Sequence, residues 1–189
     1  GLVEVGVGLI PGWGGCKEML VRHMTGKRRG ILGGGAMPVI SKLFQTIGLA
    51  KVSRSAAQAF EYGYLRDGDR ITANRDRLLA DAKARALELA ENYQPPESQE
   101  IKLPGKSARV ALMMAVRGLA KTRKATPHDL TVVDQLGNIL TGGKTDSTDA
   151  VSEDDLFTLE RQALTTLARN PLTIARIEHM LETGKPLRN

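Results

Sequence analysis

Apolar residues recur at helical spacing along most of the chain. This spacing predicts a helix from Met37 to Leu49 and further helices over residues 15–24, 53–62 and 74–92. Four more are predicted between residues 106 and 183. Strands are expected only in the first ten residues, as the end of a buried strand, and in a short piece near Tyr64 and Leu65. The pattern therefore predicts a mostly α chain.

Local signals mark the ends of several helices. Capping side chains are predicted at Thr126, Ser152 and Asn170, because each precedes a proline or an acidic first turn. Gly63 and Gly184 are predicted to end helices, since glycine adopts the left-handed conformation easily. Two apolar stripes are expected to face the core. One is formed by Leu156, Leu159, Ala163, Leu164 and Leu167, and the other by Ile174, Ile177 and Leu181.

The spacing of loop-forming residues predicts the domain organisation. Residues 1–94 are assigned to a core region, residues 95–105 to a linker, and residues 106–189 to a C-terminal helical region. The basic and then glycine-rich stretch from Lys27 to Gly35 is predicted to be a mobile loop.

Composition narrows the class of protein. The 189 residues are 41% hydrophobic and 25% charged, with a net charge of +6, which suits an anionic ligand. Only 4% are aromatic, so stacking on nucleic-acid bases is not the expected function. No apolar run is long enough to span a membrane. One cysteine, Cys16, excludes an internal disulfide framework and favours a reducing, cytoplasmic location.

Three other kinds of site are not expected in this chain. Residues 138–145 differ by one residue from a phosphate-binding loop, but they follow a predicted helix, so Gly142 and Gly143 are better explained as a helix stop. A basic cluster at one helix end is more simply a solvated face than a phosphate site: Arg117, Lys121, Arg123 and Lys124. The three histidines lie far apart, so no metal site is expected.

The most specific signal is the segment of residues 4–15, called the motif segment below. It resembles the stretch of the enoyl-CoA hydratase/isomerase (crotonase) superfamily that reads Pro-Glu, three apolar or small residues, Gly, two residues and then Pro-Gly-x-Gly-Gly. The positions in register are Glu4, Gly8, Pro11, Gly12, Gly14 and Gly15. Val3 replaces the common proline, and Cys16-Lys17-Glu18 replaces the usual Thr-Gln-Arg.

A second stretch extends the resemblance. Residues 55–65 are similar to the Ser-Ala-x-x-Ala-x-x-x-Gly-Leu-Val stretch of the same superfamily. Together with the final ten residues, they resemble one branch, the long bacterial fatty-acid oxidation proteins with a 3-hydroxyacyl-CoA dehydrogenase part first and a crotonase part last. The implied fold is a mostly α fragment of the α/β crotonase (ClpP/crotonase-like) fold. It would comprise the last β-β-α turn of the spiral followed by the C-terminal helices.

The resemblance also implies a site. Glu4 corresponds to the family glutamate that donates a proton to carbon two of the acyl chain, and Pro11, Gly12 and Trp13 are expected to contact acyl-CoA. Trp13 alone could equally be a packing residue. The partner glutamate and the oxyanion donors of the family belong to a stretch upstream of Gly1, so we expect this chain alone to be inactive. No cofactor is expected in the chain itself, and NAD would serve the upstream dehydrogenase part.

Alternatives remain at this point. An isomerase of the same family uses a glutamate at the position of Glu4, so hydratase and isomerase are not separated. The predicted C-terminal helices also suit a noncatalytic assembly domain, and a nucleic-acid binder is supported only by the charge. The expected partners are acyl-CoA, upstream domains of the same protein and further copies of it, with no nucleic acid and no membrane.

Overall fold

The computed structural model describes residues 1–25 and 35–189. The predicted mobile loop lies outside the described residues except for Gly35. The described residues are mostly helical, as the sequence predicts, whereas the crotonase fold stays a prediction. Their eight α-helices are α1 (Gly15–Thr25), α2 (Ala36–Gly48), α3 (Ala56–Tyr62), α4 (Leu78–Ala90), α5 (Gly105–Lys121), α6 (Pro127–Leu140), α7 (Glu153–Ala168) and α8 (Pro171–Thr183).

Most predicted helix ends are confirmed. Thr126 and Ser152 each accept a hydrogen bond from the backbone three residues later, and an aspartate returns the bond, completing two capping boxes. Asn170 caps α8. Gly63 and Gly184 end α3 and α8 in the left-handed conformation. These signals are local, so they act regardless of the tertiary fold.

The expected strands are both wrong. Residues 4–7 form a 3₁₀ turn that Gly8 ends with a φ of 82°. A strand cannot continue through this left-handed residue, and glycine weakens strands in general. Near Tyr64 and Leu65 the two backbone N–H groups both donate to the carbonyl of Ala59, so these residues close the end of α3.

The observed sheet has two short strands, β1 (Glu100–Lys102) and β2 (Ala150–Ser152). They pair antiparallel, with Ile101 opposite Val151, and both of these side chains are buried. β1 lies inside the predicted linker 95–105. Three residues are too few to show strand periodicity in the sequence.

The hydrophobic core surrounds α6, which packs against α1, α2, α5 and α7. It includes residues from both sides of the predicted linker, and the division into regions 1–94 and 106–189 stays a prediction. Large side chains with no exposed surface include Ile10, Leu20, Ile40, Leu43, Leu136, Ile139, Leu156 and Leu167. Helices α1 and α7 also contact each other, which positions the motif segment against the C-terminal region.

One of the two predicted apolar stripes is wrong. On α7, Leu156, Ala163 and Leu167 are buried as expected. On α8, Ile174 and Leu181 are exposed, and the helix buries Thr173 and Arg176 instead. The reason is that α8 covers a polar network and not an apolar surface.

Helix α4 is outside the core. It follows a 3₁₀ turn at Arg75–Arg77, within the predicted helix 74–92, yet none of its residues is buried. Its leucines are more than half exposed, namely Leu78, Leu79, Leu87 and Leu89.

Two other predictions are confirmed. Gly142 and Gly143 follow α6 with φ values of 84° and 70°, which is a helix stop and not a phosphate-binding loop. The four cations near the end of α5 are exposed, as a solvated face requires: Arg117, Lys121, Arg123 and Lys124.

Candidate functional site

The motif segment runs between α1 and the last two helices. The 3₁₀ turn that begins at Glu4 packs on α8, whereas Gly12 and Gly14 lie against α7. Within the segment, Pro11 is buried, Gly12 is half-buried and the Trp13 side chain is 98% exposed. The C-terminal helices therefore form the surface on which the candidate site is built.

Glu4 has an unusual environment for a carboxylate. Its Oε2 atom is shielded from solvent and has no hydrogen-bond partner among the described residues. Its negative charge contributes to raising the pKa of two nearby side chains, Cys16 and Tyr64. No hydrogen bond from the described residues therefore stabilises the charge on this oxygen.

The two neighbours of Glu4 are held in neutral form. Burial raises the pKa of the Cys16 thiol well above its ordinary value, and the carboxylates of Glu160 and Glu4 raise it further. Burial also raises the pKa of Tyr64, although a hydrogen bond with the backbone of Leu2 lowers it. The Tyr64 hydroxyl donates to the carbonyl of Lys51 at 2.6 Å. Cys16 is therefore a buried packing residue and not a nucleophile.

Close packing explains two glycines of the motif segment. A Cβ atom on Gly12 would lie 2.5 Å from the Leu164 side chain. Gly14 has a φ of 83°, and a Cβ there would lie 2.9 Å from the ring of Phe157. Both glycines are thus required by the approach of the segment to α7, whatever ligand the site takes.

Trp13 stands between two surface clefts. The larger, of about 690 Å³, is lined by Gly12, Trp13 and residues of α7: Asp154, Phe157, Thr158, Arg161 and Leu164. The smaller, of about 280 Å³, includes Trp13, Arg22 and Tyr64. The structure thus brings Gly12 and Trp13 together at the larger cleft, while Glu4 and buried Pro11 do not line it. Glu4 does not line the smaller cleft either.

Glu160, which no sequence motif indicated, organises the turn. This side chain has no exposed surface, and its two oxygens accept hydrogen bonds from the N–H of Gly14 at 2.7 Å and of Lys17 at 2.6 Å. Burial raises the pKa of Glu160, and the N–H groups of Lys17, Gly14 and Cys16 oppose that rise. The N-terminal end of α1 is therefore occupied by an internal carboxylate. Its sequence signal is a charged residue at helical spacing between the buried Leu156 and Ala163.

A second buried charge accompanies Glu160. Lys17 is 5% exposed, and its ammonium group contacts the carboxylates of Glu153 at 2.6 Å and of Glu18. It also lies 4.7 Å from the centre of the Phe157 ring. Burial disfavours the charge, but the hydrogen bonds to the carboxylates outweigh it and raise the pKa of Lys17. This cluster joins α1 to α7 beside the larger cleft.

A polar network under α8 was missed as well. The buried His128 ring contacts the hydroxyl of Thr173 through Nε2 at 2.9 Å, and that hydroxyl donates to the carbonyl of Gly8 at 3.0 Å. The hydroxyl proton is therefore used, so Nε2 of His128 is the donor in this hydrogen bond. Its Nδ1 atom is buried with no partner among the described residues. Arg176, also buried, pairs with Asp129 at 2.8 Å beside this ring.

Neither a metal site nor a membrane-spanning helix is found in the part of the chain that is described. No group of three or more His, Cys, Asp or Glu side chains there is arranged to hold a metal ion. Among the same residues, no helix combines the length and the apolar character that crossing a bilayer requires.

Comparison with known proteins gives one consistent result. No protein-family model matches the chain, and no solved structure matches it significantly. The chain is similar to part of bacterial fatty acid oxidation enzymes. It is 40% identical over 190 residues to a probable 3-hydroxyacyl-CoA dehydrogenase of Bacillus subtilis, covering 100% of the chain and 23% of that relative.

Two further relatives agree. Putative fatty acid oxidation complex trifunctional enzymes of Rickettsia felis and Rickettsia prowazekii are 27% and 26% identical, over 96% and 94% of the chain and 22% and 21% of their own length. The chain thus spans about a fifth to a quarter of the length of the curated relatives it matches. The similarity concerns one segment of these long enzymes.

Replacing Glu160 with glutamine should lower the free energy of unfolding by about 1–3 kcal/mol. The amide has one acceptor oxygen, so its NH₂ group would face a backbone N–H of Gly14 or Lys17. Urea unfolding of the chain measures this change. The control is Glu178→Gln, an exposed position on α8, which should stay within about 0.5 kcal/mol of the wild type. Equal stabilities of the two variants would contradict the role of Glu160.

His128 should make the chain less stable in mild acid. Burial lowers its pKa, the positive charge of Arg176 lowers it further, and Asp129 partly offsets this. The unfolded chain, with a pKa of about 6.5, then binds a proton first as the pH falls. The contribution of His128 to stability is therefore complete above pH about 6.5 and is lost as the pH falls through the lower pKa of the folded state.

Urea unfolding at several pH values between about 7.5 and 5.5 tests this dependence. The loss of stability across the interval should be smaller in His128→Gln than in the wild type, because glutamine does not titrate. His179→Gln leaves His128 in place and should keep the wild-type slope. Parallel curves for His128→Gln and the wild type would show that His128 does not titrate in this way.

Proposed function

We propose that this chain is the C-terminal part of a fatty-acid β-oxidation enzyme of the 3-hydroxyacyl-CoA dehydrogenase/enoyl-CoA hydratase type, and that its crotonase part hydrates 2-enoyl-CoA. One observation carries the proposal. Glu4, in register with the Pro-Gly-x-Gly-Gly turn, keeps a solvent-shielded oxygen that no described residue engages. The names of the relatives support the pathway, though not the hydration step.

The proposed role of Glu4 is to deliver a proton to carbon two of the acyl thioester. Addition of water to a 2-enoyl thioester needs such an acid, a carboxylate that takes a proton from water, and N–H groups that stabilise the charge on the thioester oxygen. The second carboxylate and the N–H groups are assigned to another part of the full-length enzyme. The same Glu4 would also serve an isomerase that moves the double bond, which is the alternative activity.

Substrate contacts are proposed at the turn. Trp13 presents nearly its whole indole to solvent beside Gly12, so it offers apolar surface to an acyl chain. Pro11 is buried beneath the turn and is proposed to fix its shape. No residue of this chain is assigned to NAD, which would serve the dehydrogenase part. The upstream parts of the protein and further copies of it are the proposed partners, in a reducing cytoplasm.

A noncatalytic assembly role is the second candidate, and one observation favours it. The leucines of α4 are exposed, and an apolar helix face of this kind commonly covers a partner surface. Sedimentation of the chain with acyl-CoA present separates the two candidates. A monodisperse oligomer that binds no acyl-CoA would favour assembly over catalysis.

Replacing Glu4 with glutamine in the full-length protein should lower the rate of crotonyl-CoA hydration at least about 100-fold, because the amide cannot donate the proton. The loss of 2-enoyl absorbance measures this rate. Oxidation of 3-hydroxybutyryl-CoA by NAD should be unchanged, since that reaction is assigned elsewhere. Conversion of 3-enoyl-CoA to 2-enoyl-CoA, followed in parallel, distinguishes the isomerase alternative.

The matched control is Glu61→Gln, an exposed glutamate at the end of α3. It should retain wild-type rates in all three assays. Hydration at the wild-type rate in Glu4→Gln would remove Glu4 from the reaction.

A further inference from the structure

The 3₁₀ turn that begins at Glu4 is closed by its own backbone. The N–H of Gly8 donates to the carbonyl of Val5 at 3.1 Å, and the N–H of Leu9 donates to the carbonyl of Glu4 at 3.0 Å. Gly8 is the residue at which the turn ends. A contact that holds the backbone of Gly8 in place therefore also restrains the backbone of Glu4.

Thr173 supplies such a contact from the far end of the chain. Its hydroxyl donates to the carbonyl of Gly8 at 3.0 Å, and it has no exposed surface. The fit is tight as well, because a Cβ on Gly8 would lie about 3 Å from both His128 Nε2 and Thr173 Oγ1. Gly8 adopts a φ of 82°, which other residues reach only at a cost. The tight fit and the left-handed backbone therefore both favour glycine at position 8.

Two further side chains hold Thr173 in place. His128 donates to the Thr173 hydroxyl, which leaves the hydroxyl proton directed at Gly8. Arg176, one turn along α8, pairs with Asp129 and donates to Thr126 at 3.1 Å. The network joins the start of α6 to α8, so Thr173 projects from a rigid frame.

The Glu4 carboxylate itself lacks such a frame. Its Oε2 has no hydrogen-bond partner among the described residues, so no hydrogen bond orients that atom. Its position then depends on the backbone of the turn. Displacement of a catalytic group by about 1 Å can cost about 100-fold in rate.

We propose that Thr173 is a positioning residue for Glu4, acting through the carbonyl of Gly8. This inference rests on the proposed function for its effect on catalysis. Its structural part, the anchoring of the turn, is independent of that function. The C-terminal helical region would then belong to the active site, although none of its residues need touch the reacting atoms.

The test compares three variants of the full-length protein. Thr173→Val removes the hydroxyl and keeps the shape, Thr173→Ser keeps the hydroxyl, and Thr166→Val removes an exposed hydroxyl on α7. Thr173→Val should lower kcat for crotonyl-CoA hydration about 10- to 100-fold while changing KM less than about threefold, since binding and positioning are separate losses. Thr173→Ser should restore most of kcat, and Thr166→Val should match the wild type.

Amide hydrogen exchange provides the second measurement. The N–H groups of Gly8 and Leu9 should exchange at least about tenfold faster in Thr173→Val than in Thr173→Ser, because the turn has lost its anchor. If Thr173→Val does not fold, Thr173→Ala removes the same hydroxyl without placing a methyl group against the Gly8 carbonyl. Unchanged exchange at both amides, or equal kcat in the Val and Ser variants, would overturn the proposal.

The two proposals fail in different ways. A wild-type protein that neither hydrates nor isomerises enoyl-CoA would contradict the proposed function, and the exchange rates would still decide whether Thr173 anchors the turn. Loss of hydration in Glu4→Gln with full activity and unchanged exchange in Thr173→Val would keep the function and refute the positioning role.

Discussion

The carboxylate of Glu160 meets the first backbone N–H groups of α1 in the interior, 146 residues away along the chain from Gly14. The start of an α-helix has N–H groups without intrahelical partners, and leaving them buried without acceptors is costly. Glu160 satisfies two of them directly and so fixes the turn that carries Gly12 and Trp13. The packing of Leu164 and Phe157 against the glycines of that turn depends on the same approach. Without this carboxylate, the N–H groups of Gly14 and Lys17 would lose the acceptor that α7 provides.

Residues from both ends of the chain therefore form the candidate site. The motif segment supplies Glu4 and the turn, whereas α7 and α8 supply the groups that hold them. The carboxyl group of Glu160 holds backbone amides at the C-terminal end of the segment, and the hydroxyl group of Thr173 holds the carbonyl of Gly8 nearer its N-terminal end. Burying these polar groups requires that each has a partner, so the contacts are specific in geometry as well as favourable. Three of the glycines in register with the resemblance, Gly8, Gly12 and Gly14, approach side chains of these helices closely.

The sequence allowed the helices and many of their ends to be predicted because caps act within a few residues. Thr126 with Asp129 and Ser152 with Asp155 are examples, since each pair is complete within one turn. The contacts of Glu160 and Thr173 could not be found in this way. They join residues 143 or more positions apart, and a buried charge or hydroxyl has no local pattern that names its partner. The α8 stripe failed for a related reason, because helical spacing shows which residues share a face but not whether that face covers apolar or polar neighbours.

The exposure of Trp13 makes its fluorescence useful as a probe. It is the one tryptophan of the sequence, and its indole is almost fully exposed. Its intrinsic fluorescence should therefore have the red emission of a hydrated indole and be accessible to dissolved quenchers. Any acyl chain, neighbouring domain or second copy that covers the turn would transfer the indole to a less polar environment. The chain thus contains its own optical reporter at the surface where its partners are expected to bind.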